Sequence, residues 1–411
     1  MPGTAAIIGS GVVGSACALA LQRAGYAVTL IDPMREASGA SWGNAGHIAI
    51  EQIEPWASRA MLRSVPRRLF ARGGALDFRA GDWDRWLPFA WRLLLASSPQ
   101  RFERGKSALA SLLARSSDAW RRLASELEEP ELYAQGGHFV VWETEASAAR
   151  GLAHWQAAAT GTARFRIATT DERARIGALL RRPPAGAIRF INTGQIADPG
   201  LLATALSRKF ETSGGRRRYE RASGVHIENK RATIALDGGE TIAADVVLVA
   251  AGIGSADLML GAGHRTPLIA ERGYHIQSED SQWPGDLGPI VFEDRSMIVT
   301  RFRSGLRAAS FVEFAHTQSP PDPRKWARLR GHVEALGLPF VLPGKPWMGC
   351  RPTLPDYLPA IGRSTRAGNL LYAFGHQHLG LTLAPITAEL IAALATGAPL
   401  ALEPFRLERF G

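Results

Sequence analysis

Apolar positions along this 411-residue chain switch between two spacings, short unbroken runs and the longer period of helices. Ala5 to Ile8 is a short apolar run, followed by the glycine turn Gly9-Ser10-Gly11-Val12-Val13-Gly14. Ser15 to Ala24 predicts an Ala/Leu helix stopped by Gly25, and Val28 to Ile31 a second strand ending at Asp32. From about 51 to 190 the pattern becomes helical and rich in Arg, Trp and Leu, with one strand at His138 to Trp142. A second α/β stretch begins near Ile191. Pro199 opens a helix to about Phe210, Gly224 to Glu228 and Arg231 to Leu236 predict strands, and Asp237-Gly238 a hairpin turn. Val246 to Ala250 reads as a buried strand ending in Ala251-Gly252. Strand alternation returns over 263 to 345, as at Ser296 to Arg301 and Leu306 to Phe314. Leu370 to Phe374 predicts a strand, and Leu383 to Leu394 a helix closed by Gly397.

Nucleotide-type pieces therefore occur at the start, middle and end of the chain. They predict an α/β protein, α+β overall, with domains discontinuous in sequence. A Rossmann-type domain is assembled from 1–50, 191–262 and 346–411. A substrate domain on a mixed or antiparallel sheet takes 51–190 and 263–345. No repeat or low-complexity tract interrupts them.

Composition changes this picture little. The net charge is +10, but 43 of the 48 basic residues are arginines, which reflects compositional bias as much as a nucleic-acid footprint. A positive surface favours anionic partners without choosing among them. No RNA-binding signature accompanies it, so no nucleic acid is expected. The two cysteines, Cys17 and Cys350, argue against a disulfide framework or a cysteine metal site, and no metal is expected. With no run of 18 apolar residues and a strand starting at Ala5, a cytoplasmic protein is expected.

Gly9, Gly11 and Gly14 sit where a strand turns into a helix. One glycine makes the turn, the next lets a pyrophosphate approach the backbone with Val12 and Val13 at the helix start, and the third lets helix and strand pack closely. Asp32, 23 residues after Gly9, is placed to accept hydrogen bonds from an adenosine ribose, which disfavours a 2′-phosphate. The motif by itself does not separate NAD from FAD.

Three further segments resemble the D-amino-acid oxidase superfamily of flavoproteins, in particular its bacterial glycine oxidases and D-amino-acid dehydrogenases. Ser41-Trp42-Gly43-Asn44-Ala45-Gly46-His47-Ile48 resembles the segment that runs under the flavin. Gly349-Cys350-Arg351-Pro352 with Pro355-Asp356, Pro359 and Ile361-Gly362 resembles its G-x-R-P stretch. Gly375-His376-Gln377-His378-Leu379-Gly380-Leu381-Thr382-Leu383-Ala384-Pro385 resembles its flavin turn. The resemblance implies FAD as cofactor. It places Ser41, Asn44, Ala45, Gly46, Ala251, Gly252, Gly375, Gly380, Leu381 and Thr382 around it, and Val225 beside the adenine.

The resemblance also implies that Arg351 clamps a substrate carboxylate, for which a planar fork of donors is suited. Tyr274 stands where a tyrosine closes the pocket and donates to that carboxylate, in competition with a packed core role. His47 and His378 depart from commoner family residues and are candidate pocket groups. Cys350 lies one residue out of register with the cysteine that anchors flavin in some relatives, and reads as packing.

The implied reaction is oxidation of a small D-amino or D-imino acid, D-proline or D-hydroxyproline-like, by hydride transfer from Cα to flavin N5. Electrons then pass to an acceptor other than oxygen, either a quinone or a partner protein. A glycine/sarcosine-type amine oxidase and the flavin subunit of a hetero-oligomeric dehydrogenase are the alternatives. Residues 59 to 106 carry eleven basic and four acidic groups, with Trp86, Phe89, Ala90, Leu93 and Leu94 on one helical face. That face is a candidate for peripheral contact with the inner surface of a membrane, against an ordinary core-facing helix.

Overall fold

The computed structural model describes residues 3–35, 38–279 and 282–410. Strand Thr4–Ile8 lies at the centre of a six-stranded sheet, flanked by Ala27–Ile31 on one side and Val246–Val249 on the other, all parallel. Arg216–Arg218 extends the sheet beyond Ala27–Ile31; Leu370–Phe374 and then Ala360–Arg363 extend it the other way, the last antiparallel. Val246–Val249 is buried along its whole length, as a strand covered on both faces must be. One face carries the helices Val12–Arg23 and Gly380–Ala395. The other carries the meander Ala222–Glu228, Arg231–Leu236 and Thr241–Ala243.

The helix Gly380–Ala395 starts three residues earlier than its pattern predicts, with Pro385 tolerated in its second turn. Together with the turn before it, this segment is long and apolar enough to cross a membrane by length and composition, contrary to the sequence reading. It is a core helix, packed on Val12–Arg23 and on the 28-residue helix Pro99–Glu126, whose Trp120 indole donates to the Leu381 carbonyl at 3.1 Å.

The second sheet has nine strands. Its spine runs Lys345–Thr353, Ile269–Ser278, Gly305–Ala315, Met297–Phe302, Ile290–Phe292 and His138–Trp142, ending in Gly186–Phe190 and Phe165–Ile167, with Leu76–Phe78 beside Gly305–Ala315. Here the sequence division needs correcting. Lys345–Thr353, assigned to the nucleotide domain from 346 onward, is an edge strand of this large sheet, paired antiparallel along Ile269–Ser278. A strand partner more than 70 residues away leaves no local trace in sequence.

Strand alternation decides what each residue of Ile269–Ser278 meets. Glu271 and Gly273 face the interior cavity; Tyr274 also borders it, while its ring and Ile276 pack in an apolar cluster shared with the helix Pro323–Leu336. A bulge between Arg272 and Tyr274 places Phe311 and Val312 opposite Gly273 alone and holds Phe311 at φ 71°.

A β-carbon at Gly14 would lie 1.9 Å from the Gly9 carbonyl oxygen. Gly14→Ala must therefore push helix and turn apart, at a cost of about 1–3 kcal/mol. Thermal melting should show a lower midpoint, and an unchanged one would contradict this packing.

Candidate active site: a dinucleotide turn facing an arginine wall

Gly9 adopts φ 106°, and a β-carbon there would lie 2.4 Å from the Ala250 carbonyl oxygen. That close approach joins the first strand to the end of Val246–Val249, and only glycine permits it. At Gly11 a β-carbon would meet nothing nearer than Ser41 Oγ at 3.1 Å, so the backbone there is open to a ligand. The helix behind it has no side-chain cap; the Val12 N–H donates to Ser41 Oγ at 3.1 Å. Asp32 accepts from the Ser10 and Met34 N–H groups at 2.8 and 2.9 Å, which fixes its carboxylate at the strand end. Gly9, Gly11, Val12, Val13, Asp32, Ala251 and Gly252 all line one cavity, while Gly14 packs behind them as expected.

Val225 is not on that wall. It pairs with Ile234 and is wholly buried in the core under the sheet. A register shift between Ala222 and Gly224 turns Arg221, Ala222 and Ser223 to the cavity instead. The bulge moves the wall three residues upstream of the sequence assignment.

The segment Ser41 to Gly46 crosses from the first sheet to the second. Asn44 folds it, its Oδ1 accepting from the Gly46 N–H at 2.6 Å and its Nδ2 donating to the Ser41 carbonyl. The large sheet then grips it. Buried Arg307 donates to the Trp42 and Asn44 carbonyls, and His275 Nδ1 lies 2.9 Å from the Gly43 oxygen. Trp347 stacks on His275 at 4.8 Å and packs so closely over Gly43 and Gly349 that a β-carbon at either would overlap its ring. Arg307 and Trp347 were missed from sequence, because their role exists only once two distant strands meet. Ser41, Asn44, Ala45 and Gly46 line the cavity.

Across the cavity lies Arg351. Its Nη1 donates to Glu271 Oε1 at 3.0 Å and to the Phe311 carbonyl at 3.2 Å. No hydrogen bond among the described residues uses Nε or Nη2. The guanidinium lies over Gly273, where a β-carbon would be 2.2 Å from Nη2. Glu271 is buried, and its other oxygen accepts from Thr353 Oγ1 and the Tyr357 hydroxyl at 3.1 Å each. One edge of the fork is thus anchored and the other is presented to the cavity. Glu271 was overlooked although it shares a strand face with Gly273, an alternation visible in the sequence.

The expectation that the Tyr274 hydroxyl reaches a ligand carboxylate is not met. It donates to Glu313 at 2.6 Å and accepts from Arg272 Nη2 and the Asp322 N–H, inside a buried ion network on the opposite face of the sheet. Cys350 pairs with Arg272 across the strands and so alternates away from Arg351. Burial raises its thiol above the usual range.

His47 and His378 both reach the cavity wall. His47 Nε2 is 3.0 Å from Glu51 Oε1, and its ring meets that of His138 edge-on at 4.3 Å. His47 Nδ1 and Glu51 Oε2 are buried without a partner among the described residues. Burial would raise the Glu51 carboxyl, yet the neighbouring His47 and His138 hold it below its ordinary value. Ligand atoms of these three residues lie within 4.8 Å of one another, a set able to hold a divalent cation. The direct His47–Glu51 contact describes an imidazole–carboxylate pair. His378 Nε2 lies 2.5 Å from Gln52 Oε1.

In the C-terminal turn the cavity meets His376, Gln377, His378, Gly380 and Leu381, but not Gly375 or Thr382. Gly375 is needed for φ 77° and for Leu354, whose side chain would lie 2.5 Å from a β-carbon. Thr382 accepts from the Ala49 N–H at 3.0 Å, tying the helix to the crossing segment from behind.

The cavity these walls enclose is about 1690 Å³. That exceeds the usual small-molecule pocket of roughly 300–1,000 Å³ and suits a dinucleotide together with a second, smaller molecule. A glycine turn with a fixed carboxylate at one end and a half-satisfied arginine at the other define a dinucleotide-dependent enzyme cleft. The chain belongs to the family described as FAD dependent oxidoreductase (DAO), which matches residues 4–394. FAD is its cofactor, and the open backbone at Gly11 with Asp32 beyond it fits that group.

The chain is 33% identical over 416 residues to a D-amino-acid oxidase of Bradyrhizobium diazoefficiens, covering 98% of both proteins. To a D-amino acid dehydrogenase of Paramagnetospirillum magneticum it is 29% identical over 437 residues, again covering 98% of both. Its fold is similar to that of glycine oxidase from Geobacillus kaustophilus, with a TM-score of 0.74 and 20% identity over 98% of both chains.

Two outcomes follow from this geometry. Arg351→Lys removes the fork while keeping the charge, so a carboxylate probe such as benzoate, followed through the flavin spectrum, should bind more weakly by about 2–5 kcal/mol. The flavin itself should be retained. Unchanged benzoate binding would remove Arg351 from the ligand site.

The second concerns pH. Burial pushes His138, His275 and His376 down to about 3 and His378 to about 4; Arg307 adds to this for His275, while Glu271 opposes it for His378. These rings are neutral when folded and take up protons more readily when unfolded. Their contribution is fully present above the unfolded value of about 6.5 and is lost as pH falls towards the folded values. The slope is about 1.4 kcal/mol per pH unit for each such group. Urea midpoints of the holoprotein should drop between pH 7.5 and 5.5. His376→Gln, which keeps a partner for Thr387, should flatten that drop.

Proposed function

We propose that this protein oxidises the C–N bond of a small D-amino or D-imino acid and passes the electrons to an acceptor other than oxygen. The observation that carries the reading is the free Nε/Nη2 edge of Arg351 on the cavity wall, with Nη1 held by Glu271 and Phe311. A planar pair of donors of this kind matches a carboxylate. The relatives named D-amino-acid oxidase and D-amino acid dehydrogenase support an amino-acid substrate of D configuration.

Bound FAD supplies the hydride acceptor, and the chain's own groups position the substrate. Arg351 holds the carboxylate, which fixes Cα relative to the opposite wall. Positioning and exclusion of water then provide much of the acceleration. A compact five-membered imino acid such as D-proline needs little beyond this carboxylate clamp. A ring hydroxyl needs a polar partner, because burying it unpaired is costly. His47 and His378, both on the cavity wall, are the candidate partners. The electron acceptor in this reading is a quinone or a partner protein, and the protein is cytoplasmic.

The test is a panel of D-, L- and N-methyl amino acids scored by anaerobic flavin bleaching. D-proline and cis-4-hydroxy-D-proline should bleach the flavin and reduce a dye, with little response to L-amino acids and slow reoxidation by oxygen. Bleaching by glycine or sarcosine but by no D-imino acid would reassign the protein as a glycine/sarcosine-type oxidase.

A further inference from the structure

The helix Trp83–Ala96 has two unlike faces. Phe89, Leu93 and Ala96 are buried against the cluster containing Phe314 and Tyr357, and the Trp86 indole donates to the Arg79 carbonyl at 2.9 Å. Of the face picked from sequence, Trp86, Phe89, Ala90 and Leu93 turn toward the core, and only Leu94 lies on the outer side. On the other side Trp83, Leu87, Trp91, Leu94 and Leu95 are 48% to 61% exposed. Spaced at 83, 87, 91 and 94–95, they form one continuous stripe at the helical period. A monomer that needed only to be soluble would not leave two tryptophans and three leucines together in water.

The neighbouring helix Arg59–Arg68 shares the same core cluster through Met61, Leu62 and Val65. Its outer face is Arg59, Arg63 and Arg67, all exposed at i, i+4 spacing, and exposed Arg92 borders the apolar stripe. None of these four has a carboxylate partner among the described residues. The inner face of the same helix, with Ala60, Met61 and Ser64, lines the cavity.

We propose that the Trp83–Ala96 helix docks on an anionic lipid surface, with Trp83, Leu87, Trp91, Leu94 and Leu95 in the headgroup layer and the Arg59/Arg63/Arg67 face on lipid phosphates. Indole rings favour that interface, being apolar in body with one donor at the edge. The unpaired arginines provide the charge complementarity. They also disfavour a second copy as occupant, since two such faces would bring unpaired positive charges together. Docking in this orientation places the cavity rim formed by Arg59–Arg68 next to the bilayer.

The test uses FAD-loaded protein and sedimentation with vesicles of phosphatidylcholine alone or mixed with phosphatidylglycerol. Expected is co-sedimentation with the anionic vesicles at low salt, at least tenfold weaker with phosphatidylcholine alone or at 0.5 M salt. Tryptophan emission should shift to the blue and be quenched by brominated lipid. Trp83→Ser with Trp91→Ser should lose the quenching and at least tenfold in binding, while Tyr219→Ser, at an aromatic exposed outside this face, should not. Flavin absorbance and melting midpoint, unchanged in both variants, exclude misfolding as the cause. The proposal is overturned by no binding to anionic vesicles, or by binding indifferent to the double substitution. A concentration-dependent dimer abolished by Trp83→Ser/Trp91→Ser, without lipid binding, would instead assign the face to a second copy.

Discussion

The grip of the large sheet on the Ser41–Gly46 segment makes one active-site cavity out of two separate sheets. That segment leaves the nucleotide half just after Asp32, and its carbonyls would be stranded if nothing from the other half met them. Arg307 meets two of them, His275 a third, and Trp347 closes over Gly43. Burial lowers the Arg307 guanidinium to about 10, with distant Asp198 only partly offsetting this. Carbonyl dipoles rather than a contacting carboxylate therefore carry most of its compensation. A buried cation held this way fixes the loop strongly, because moving the loop would strand its carbonyls and leave Arg307 hydrogen-bonded to Gln277 alone.

The strand Ile269–Ser278 then divides labour between its faces. On the cavity face Glu271 and Gly273 set Arg351, one by charge and one by absence of a side chain. On the other face Arg272, Glu313, Lys325 and Tyr274 form a buried network. Lys325 reaches Asp77, Glu313 and Asp322 at 2.6 to 3.1 Å. The three carboxylates could by spacing surround a cation, and the Lys325 ammonium already occupies that role. Such a network contributes little net stability compared with an apolar core, since desolvation offsets much of the attraction. Its effect is to lock the register of the strand that carries Glu271.

What was legible in the sequence was local. The glycine turn and the strands Arg231–Leu236, His138–Trp142 and Leu370–Phe374 carry their signal in their own residues, and each lies where its pattern predicts, although the last two pair with strands far away in sequence. Arg351 was found through its motif. Its anchor Glu271 was not, because their pairing depends on a ladder between Lys345–Thr353 and a strand far upstream. Val225 leaves the wall because a bulge at Ala222/Gly224 shifts it, and Tyr274, which borders the cavity, takes the core role left open for it because its hydroxyl is held by Glu313. A motif fixes which residues are near one another. It does not fix which way each one points.

The free edge of Arg351 follows from the same asymmetry. Glu271 meets Arg351 through Oε1 alone, because its Oε2 is occupied by Thr353 and Tyr357, so the pair ties up Nη1 and leaves the hydrogen-bonding capacity of Nε and Nη2 unspent among the described residues. Burial, and then Glu271, raise the Tyr357 hydroxyl well above its usual range, so it remains a proton donor to that carboxylate at any working pH. A carboxylate satisfied by two hydroxyls can orient the arginine through one nitrogen without consuming its whole fork. The wall thereby keeps a planar, half-satisfied cation that only a ligand of matching shape and charge completes.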